Sequence, residues 1–361
     1  MSVITPHDEA LLSRALSLAE RGLYTTDPNP RVGCVIAHGE EIVGEGWHER
    51  AGGPHAEVHA LKSAGQRARG ATAYVTLEPC SHTGRTPPCA DALIAAGLSR
   101  IVCCTKDPNP KVAGQGLQRL RAAGITVAVG AQRDEARRLN CGFFSRFERG
   151  RPYVRLKMAM SLDGRTAPAG GGPLWISGEA SRQDVQHWRA RSAAVLTGSG
   201  TVRIDDPRLT VRLNYGSFVR QPLRVILDTE LSTAKSARVF EGGGSLLFTA
   251  ADARGDASDR VVKRVARAAG GLDLHAVLHE LAVLEINELL LECGATLAGA
   301  FLAADLVDEM ILYVAPRFLG ADAAPLVNLA GLDPVQFGSR FEYRGAEGVG
   351  ADLRLSLVRK V

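Results

Sequence analysis

At 361 residues the chain has room for two domains of ordinary size, and its 45% hydrophobic and 23% charged content is that of a globular protein. A net charge of +4, dispersed along the chain, makes no basic arm or stripe of the kind nucleic-acid binders carry, and it suits a phosphorylated small molecule equally well. No apolar run reaches the ~18–20 residues that span a bilayer, and the seven cysteines, an odd number with no signal-peptide pattern ahead of them, fit a reducing cytoplasm.

The opening Thr5-Pro6-His7-Asp8 reads as a helix start, with Thr5 as cap and Asp8 facing the free amides. Leu11, Leu12, Ala15, Leu16 and Ala19 then keep helical apolar spacing. Residues 31–37 and 41–47 flank His38-Gly39-Glu40 as a hairpin. Helices at 55–64, 90–96 and 116–123 alternate with strands at 73–77, 100–105 and 125–129, which predicts a layered α/β sheet with reactive loops at its strand ends. Between Cys141 and Pro152 the pattern breaks, and a new strand starts at Tyr153. The boundary is placed there, giving domains 1–147 and 148–361. The second domain is again mixed α/β, with strands at 154–160, 194–197, 223–227, 245–248, 289–292 and 310–314 and two more within 341–358.

The chemistry concentrates in His55-Ala-Glu57 and Pro79 to Cys89. Catalytic zinc takes three protein ligands and keeps a fourth position open. His55, Cys80 and Cys89 can supply the three, and Glu57 is left to carry protons to and from the reacting group. Zinc nucleobase deaminases show H-x-E and P-C-x-x-C; here eight residues separate the cysteines, so the stretch between them must form a loop. His55 and His59 also stand at i and i+4, as in zinc proteases, but those carry their glutamate directly after the first histidine. A structural zinc site would need a fourth ligand, for which His59 or His82 is available. Cys34, Cys103, Cys104, Cys141 and Cys293 lack ligand spacing and read as core or pocket-wall residues.

These segments resemble the bifunctional riboflavin-biosynthesis proteins of the RibD family. The resemblance lies in His55-Ala-Glu-Val, the Ser-His-Thr-Gly-Arg-Thr-Pro-Pro insert between Cys80 and Cys89, Pro28-Asn-Pro-Arg-Val-Gly33 and Asp107 to Gly114. In the second half it lies in Lys157 to Thr166, Thr201 to Arg212 and Glu292 to Ala300. It implies a cytidine-deaminase-like α/β/α domain followed by a dihydrofolate-reductase-like α/β domain. It also implies zinc deamination of a phosphoribosylaminopyrimidine, then NADPH reduction of its ribosyl chain to ribityl, and it is compatible with a homodimer.

Position by position, the resemblance implies that Asn29, His82 and Asp107 contact the first substrate. Asn29 and Asp107 serve equally well as turn-builders in Pro-rich loops. Met160, Trp175, Thr201, Asp205, Thr229 and the run Gly294, Ala295, Thr296, Leu297, Ala298, Gly299 and Ala300 would line NADPH. Arg189, Leu209, Arg212 and Glu292 would line the second substrate, with the two arginines suited to its phosphate. Without the resemblance, Arg189 reads also as a solvated helix face and Trp175 as core. No G-x-G-x-x-G follows a strand, so a Rossmann fold is not indicated; the strand–Cys293-Gly294–helix turn still offers free amides to a phosphate. Asp206 and Lys157 are the candidates for managing the proton of the reductive step. Leu174, Cys293, Ala295 and His59 depart from the family's usual residues. Two other readings stay open: a chain with only its deaminase half active, or a zinc deaminase acting on another nucleobase or on nucleic acid. Dispersed basic residues and the lack of an aromatic ladder argue against nucleic acid.

Overall fold

The first helix, α1 (Pro6–Glu20), begins as its sequence requires. Asp8 N donates to the Thr5 hydroxyl at 3.2 Å, and the Asp8 carboxylate accepts from Thr5 N at 2.8 Å. The same carboxylate, almost wholly buried, takes Arg100 Nη1 at 2.6 Å and Nη2 at 2.9 Å, tying the helix start to a strand ninety-two residues away. The computed structural model describes residues 3–81, 88–170, 174–213, 220–329 and 340–360. The chain divides into two compact units, Met1–Gly150 and Arg151–Val361.

The Asp8–Arg100 pair carries a prediction. Hydrogen bonds from Arg100 hold the Asp8 carboxyl far below the usual carboxylate range, against the opposing push of burial. A carboxyl depressed in the fold stabilises fully above its unfolded value, about 4, and less as pH falls towards the folded value. Asp8→Asn is therefore expected to cost about 2 kcal/mol at pH 7, and thermal unfolding should show a smaller gap from the parent at pH 3. Equal gaps at the two pH values would remove the charge from the explanation.

In the first unit α1 is followed by β1 (Gly33–His38), β2 (Glu41–Trp47), α2 (Ala56–Ala64), β3 (Thr72–Val75), α3 (Cys89–Ala95), β4 (Arg100–Cys103), α4 (Gln115–Ala122), β5 (Thr126–Val129), α5 (Arg133–Leu139) and α6 (Cys141–Arg149). The sheet order is β2-β1-β3-β4-β5; β1 pairs antiparallel with both neighbours, and β3, β4 and β5 run parallel. Alternation along the strands separates two cores. Cys34, Ile36, Ala73, Val75 and Ile101 face Ala56, Ala60, Leu93 and Leu120 of α2, α3 and α4. Val35, Ala37, Tyr74, Val102 and Ala128 face Leu11, Leu12, Ala15 and Ala136 of α1 and α5. The result is the expected three-layer α/β/α unit. At Gly33 the helix lies so close that a Cβ would fall 1.9 Å from the Ala15 carbonyl oxygen.

The expected break after Cys141 is corrected by α6. Phe143 and Phe144 pack this helix on Leu77, and buried Asn140 exchanges hydrogen bonds with the Arg31 backbone at 2.7 and 2.9 Å. Three aromatic residues in five make a helix stripe that an arginine-rich stretch conceals in a linear reading.

The second unit contains β6 (Tyr153–Ser161), β7 (Arg165–Ala167), α7 (Glu179–Arg191), β8 (Ala194–Gly198), α8 (Ser199–Asp205), β9 (Leu223–Leu227), β10 (Ser245–Ala250), β11 (Val262–Val265), β12 (Arg267–Ala268), β13 (Gly271–Leu272), α9 (Leu274–Val283), β14 (Glu288–Glu292), α10 (Ala295–Ala303), β15 (Glu309–Ala315), β16 (Ala324–Pro325), β17 (Phe341–Val349) and β18 (Asp352–Arg359). Its main sheet has the order β11-β10-β9-β8-β14-β6-β15-β18-β17, parallel from β11 to β15 and antiparallel through β18 and β17. This is the mixed sheet of a dihydrofolate-reductase-like domain. The parallel strands all deliver their carboxyl ends to one edge, where open α/β sheets bind ligands. Among the described residues no helix is long and apolar enough to cross a membrane.

Candidate active sites

In the first unit the metal-ligating side chains come from three separate places. His55 is the N-cap of α2, Cys80 lies beyond β3, and Cys89 opens α3. Their ligand atoms lie within 4.8 Å of one another. His55 Nδ1 is 3.6 Å from Cys80 Sγ and 3.3 Å from Cys89 Sγ. Tetrahedral zinc would set an imidazole nitrogen and a thiolate about 3.6 Å apart, so the donor set fits the ion in type and spacing. Cys89 N donates to Cys80 Sγ at 3.3 Å and Ala90 N to the Cys80 carbonyl at 3.1 Å, so the first turn of α3 faces the Cys80 ligand with its amides. Among the described residues no fourth ligand joins the cluster, and His59 lies outside it. The histidine pair at i and i+4 is therefore not the metal site. His82 lies outside the described residues.

Glu57 is the second residue of α2, only 3% exposed, and is not part of the ligand cluster. Burial pushes its carboxyl up. The hydrogen bond with Cys89 draws the Cys80 thiol down to about 4, helped by the His55 ring, and the same bond pushes Cys89 up. The bond to Cys80 raises His55.

Asn29 follows the Asp27-Pro28 cis peptide and turns the chain through Asn29 N to Thr26 O at 2.8 Å. Its side-chain amide reaches His48 Nε2 at 3.3 Å, and the His48 ring stands edge-on to His55 with centroids 5.4 Å apart. Asn29 is thus both a turn residue and a neighbour of the metal cluster. His48, buried at the end of β2 with its Nδ1 on the Pro54 carbonyl at 2.9 Å, belongs to the same wall and carried no motif to announce it. Burial lowers its pKa. Asp107 also builds its turn, accepting from Asn109 N at 2.7 Å, and burial lifts its carboxyl to about 7. Glu78 is the second residue missed in the linear reading: it is buried, two residues before a ligand, and its carboxylate is ringed by backbone amides. A charged residue ending an apolar strand was its only signal.

In the second unit the register of β14 on β6 sets Glu292 opposite Lys157, and Lys157 Nζ lies 3.9 Å from the Glu292 carboxylate and over the Tyr313 ring. Arg189 comes from α7 and grips Glu292 with Nε at 2.5 Å and Nη2 at 2.9 Å; Nη1 donates to the Thr210 carbonyl at 3.1 Å. Arg189 is therefore buried, not a solvated helix face, and much of its fork is occupied by Glu292 and Thr210. Burial pushes Glu292 up, but Arg189 and Lys157 outweigh it and leave the carboxyl below its usual value. Burial lowers Lys157. Leu209, buried with φ 53°, bends the segment that carries exposed Arg212. Asp206 ends α8 with φ 39° and its carboxylate accepts from Arg238 N at 2.8 Å, so it is spent on structure.

The expected cofactor residues lie along the same strand ends. Met160 is near the end of β6, Thr201 and Asp205 are on α8, Thr229 follows β9, and Gly294 is the N-cap of α10 with no side chain capping it. A Cβ at Gly294 would sit 3.8 Å from the Thr201 hydroxyl, which places those two positions side by side. Trp175 is 72% exposed with Arg182 stacked on it at 4.9 Å, which excludes core packing. Along α10, Gly294, Thr296 and Ala300 are exposed and Ala295 and Leu297 half-buried. Ala298 is fully buried and Gly299 is pressed against Asn328, where a Cβ would meet the carbonyl oxygen at 1.9 Å. Those two support the helix rather than face a ligand. The uncapped helix start, with the Thr201 hydroxyl of α8 beside it, fits a phosphate-bearing dinucleotide.

Comparison with known proteins agrees with this geometry. Residues 5–105 match the cytidine and deoxycytidylate deaminase zinc-binding region, and residues 152–355 match the RibD C-terminal domain. The riboflavin biosynthesis protein RibD of Escherichia coli (strain K12) is 49% identical across 97% of this chain and 99% of its own. A crystal form of Acinetobacter baumannii RibD superposes with a TM-score of 0.92 at 46% identity, covering 98% of this chain and 99% of that one. The diaminohydroxyphosphoribosylaminopyrimidine deaminase/5-amino-6-(5-phosphoribosylamino)uracil reductase of Thermotoga maritima gives 0.86 at 34% identity, covering 98% and 99%. The chain belongs to the RibD family of riboflavin biosynthesis proteins.

Proposed function

We propose that the two units catalyse consecutive steps: zinc-dependent deamination of a diaminohydroxyphosphoribosylaminopyrimidine, then NADPH-dependent reduction of the resulting 5-amino-6-(5-phosphoribosylamino)uracil to its ribityl form. The observation that carries the reading is the three-ligand cluster with buried Glu57 beside it. The domains read as 1–147 and 148–361, and the chain acts in the cytoplasm on a free small molecule, without nucleic acid or membrane, as a homodimer.

His55, Cys80 and Cys89 hold the zinc, which supplies a Lewis acid that brings the pKa of water towards about 7. Glu57 accepts the proton of the attacking water and returns it to the departing amino group, so that C–NH2 and water become C=O and ammonia. Asn29, His82 and Asp107 orient the pyrimidine and its tail.

In the second site Met160, Trp175, Thr201, Asp205, Thr229 and the turn from Gly294 hold NADPH, which supplies a hydride. Glu292 and Lys157 meet the ring-opened sugar, with Lys157 the better placed proton manager because Asp206 is engaged by Arg238. Arg212 takes the phosphate, and Arg189 acts by fixing Glu292.

Supplying the diaminopyrimidine ribotide with and without NADPH, and following ammonia and NADPH separately, tests both halves. Ammonia should appear in either case, with NADPH consumed mole for mole afterwards. Ammonia with no NADPH oxidation would leave only the deaminase, and neither signal would end the reading.

A further inference from the structure

We infer that Glu78 is a positioning residue for deamination, acting through Asp107. The inference rests on the reading of Asp107 as a substrate contact. Glu78 is 3% exposed, and its carboxylate oxygens accept from four backbone amides, two of the β4–α4 loop and two of the first turn of α4. Oε2 takes Asp107 N at 3.2 Å and Gly114 N at 2.9 Å. Oε1 takes Gly116 N at 3.0 Å and Leu117 N at 3.3 Å. Its own backbone N donates to the Thr105 carbonyl at 3.0 Å.

The loop between β4 and α4 is thus folded around a single buried anion. That anion is also the cap of α4, whose N-cap, Gly114, offers no side chain of its own. Amides at a helix start favour a negative partner, and charged acceptors make the stronger bonds. The docking is close, since a Cβ on Gly116 would fall 2.0 Å from the Pro79 carbonyl oxygen. Pro79 joins Glu78 to the ligand Cys80. One three-residue segment therefore carries a metal ligand at one end and the anchor of the Asp107 loop at the other. The Asp107 loop is therefore tied through Glu78 to the segment that carries Cys80. Among the described residues no other side chain accepts from these four amides.

Glu78→Gln keeps the size but turns an NH2 group towards two of the amides. The parent, Glu78→Gln, Asp107→Asn and the double variant should be compared for zinc content, deamination kinetics and reduction of the deaminated intermediate. The expected result is one zinc per chain and unchanged reduction, with kcat/KM for deamination lowered about tenfold to a hundredfold, mostly through KM. In the Asp107→Asn background the same substitution should cost less than threefold, because coupled positions do not add. Full additivity in the double variant overturns the inference, as does loss of zinc or of reduction with Glu78→Gln, which would mark a general folding role. Normal deamination by Asp107→Asn would instead overturn the reading of Asp107, and the inference with it.

Discussion

Glu57→Gln should lower deamination by about a thousandfold while zinc stays bound. Glutamine keeps the shape of the side chain but cannot take the proton of the attacking water. Glu57 is almost wholly buried on the first turn of α2 and is not one of the three clustered ligands. Its replacement therefore removes proton transfer while leaving all three ligand side chains in place. Removing a buried charge that burial already disfavours should leave the first unit folded. Cys89→Ser offers the contrast: it removes a fully buried thiolate donor, so metal and deamination should be lost together. Reduction of the deaminated intermediate should survive both changes. Deamination retained to within tenfold by zinc-loaded Glu57→Gln would remove Glu57 from proton transfer.

The sequence made the metal cluster legible because its chemistry is confined to few residue types. A histidine and two cysteines with a glutamate two residues on leave little room for other arrangements, and the helix and strand periods around them place all three at element ends. The parallel strands of the second unit were legible as apolar runs for the same reason that they are buried on both faces. What was not legible depends on pairing across the chain. Glu78 and His48 gain meaning only when β3 sits beside β4, and when the end of β2 meets the start of α2. Arg189 reads equally well as exposed or buried until α7 is laid over β14, where Glu292 claims its fork. The helix α6 was hidden because its aromatic stripe is interleaved with arginines, and Asn140, which fixes it, is bonded to a residue 109 positions earlier. Trp175 shows the limit of hydrophobicity as a guide: the indole is 72% exposed under Arg182 and is not part of a core.

Arg189→Met is expected to have the largest effect in the second unit. The Glu292 carboxylate and the Arg189 guanidinium are 11% and 9% exposed, and two short bonds join them. Deleting the cation leaves a buried carboxylate with Lys157, at 3.9 Å, and the weaker influence of Arg212 as counter-charge. Breaking such a pair from one side costs about 3–5 kcal/mol. The Thr210 carbonyl loses its donor at the same time, so the segment from Leu209 to Arg212 keeps its bonds to Gln221 and Gln186 but loses its tie to Arg189. Reduction should fall by about a hundredfold or more in kcat/KM, with deamination unchanged. The pH dependence gives the sign. In the parent, burial pushes Glu292 up and Arg189 and Lys157 more than offset it, so the depressed carboxyl stabilises the fold above about pH 4 and stops doing so as pH falls through its folded value. In Arg189→Met the push of burial prevails, the carboxyl titrates higher, and protonation relieves the unpaired charge. The stability gap between parent and variant should therefore be widest at pH 7 and narrow on acidification towards pH 4. A gap that is constant with pH, or reduction at the parental rate, would show that Arg189 does not hold Glu292 in its working state.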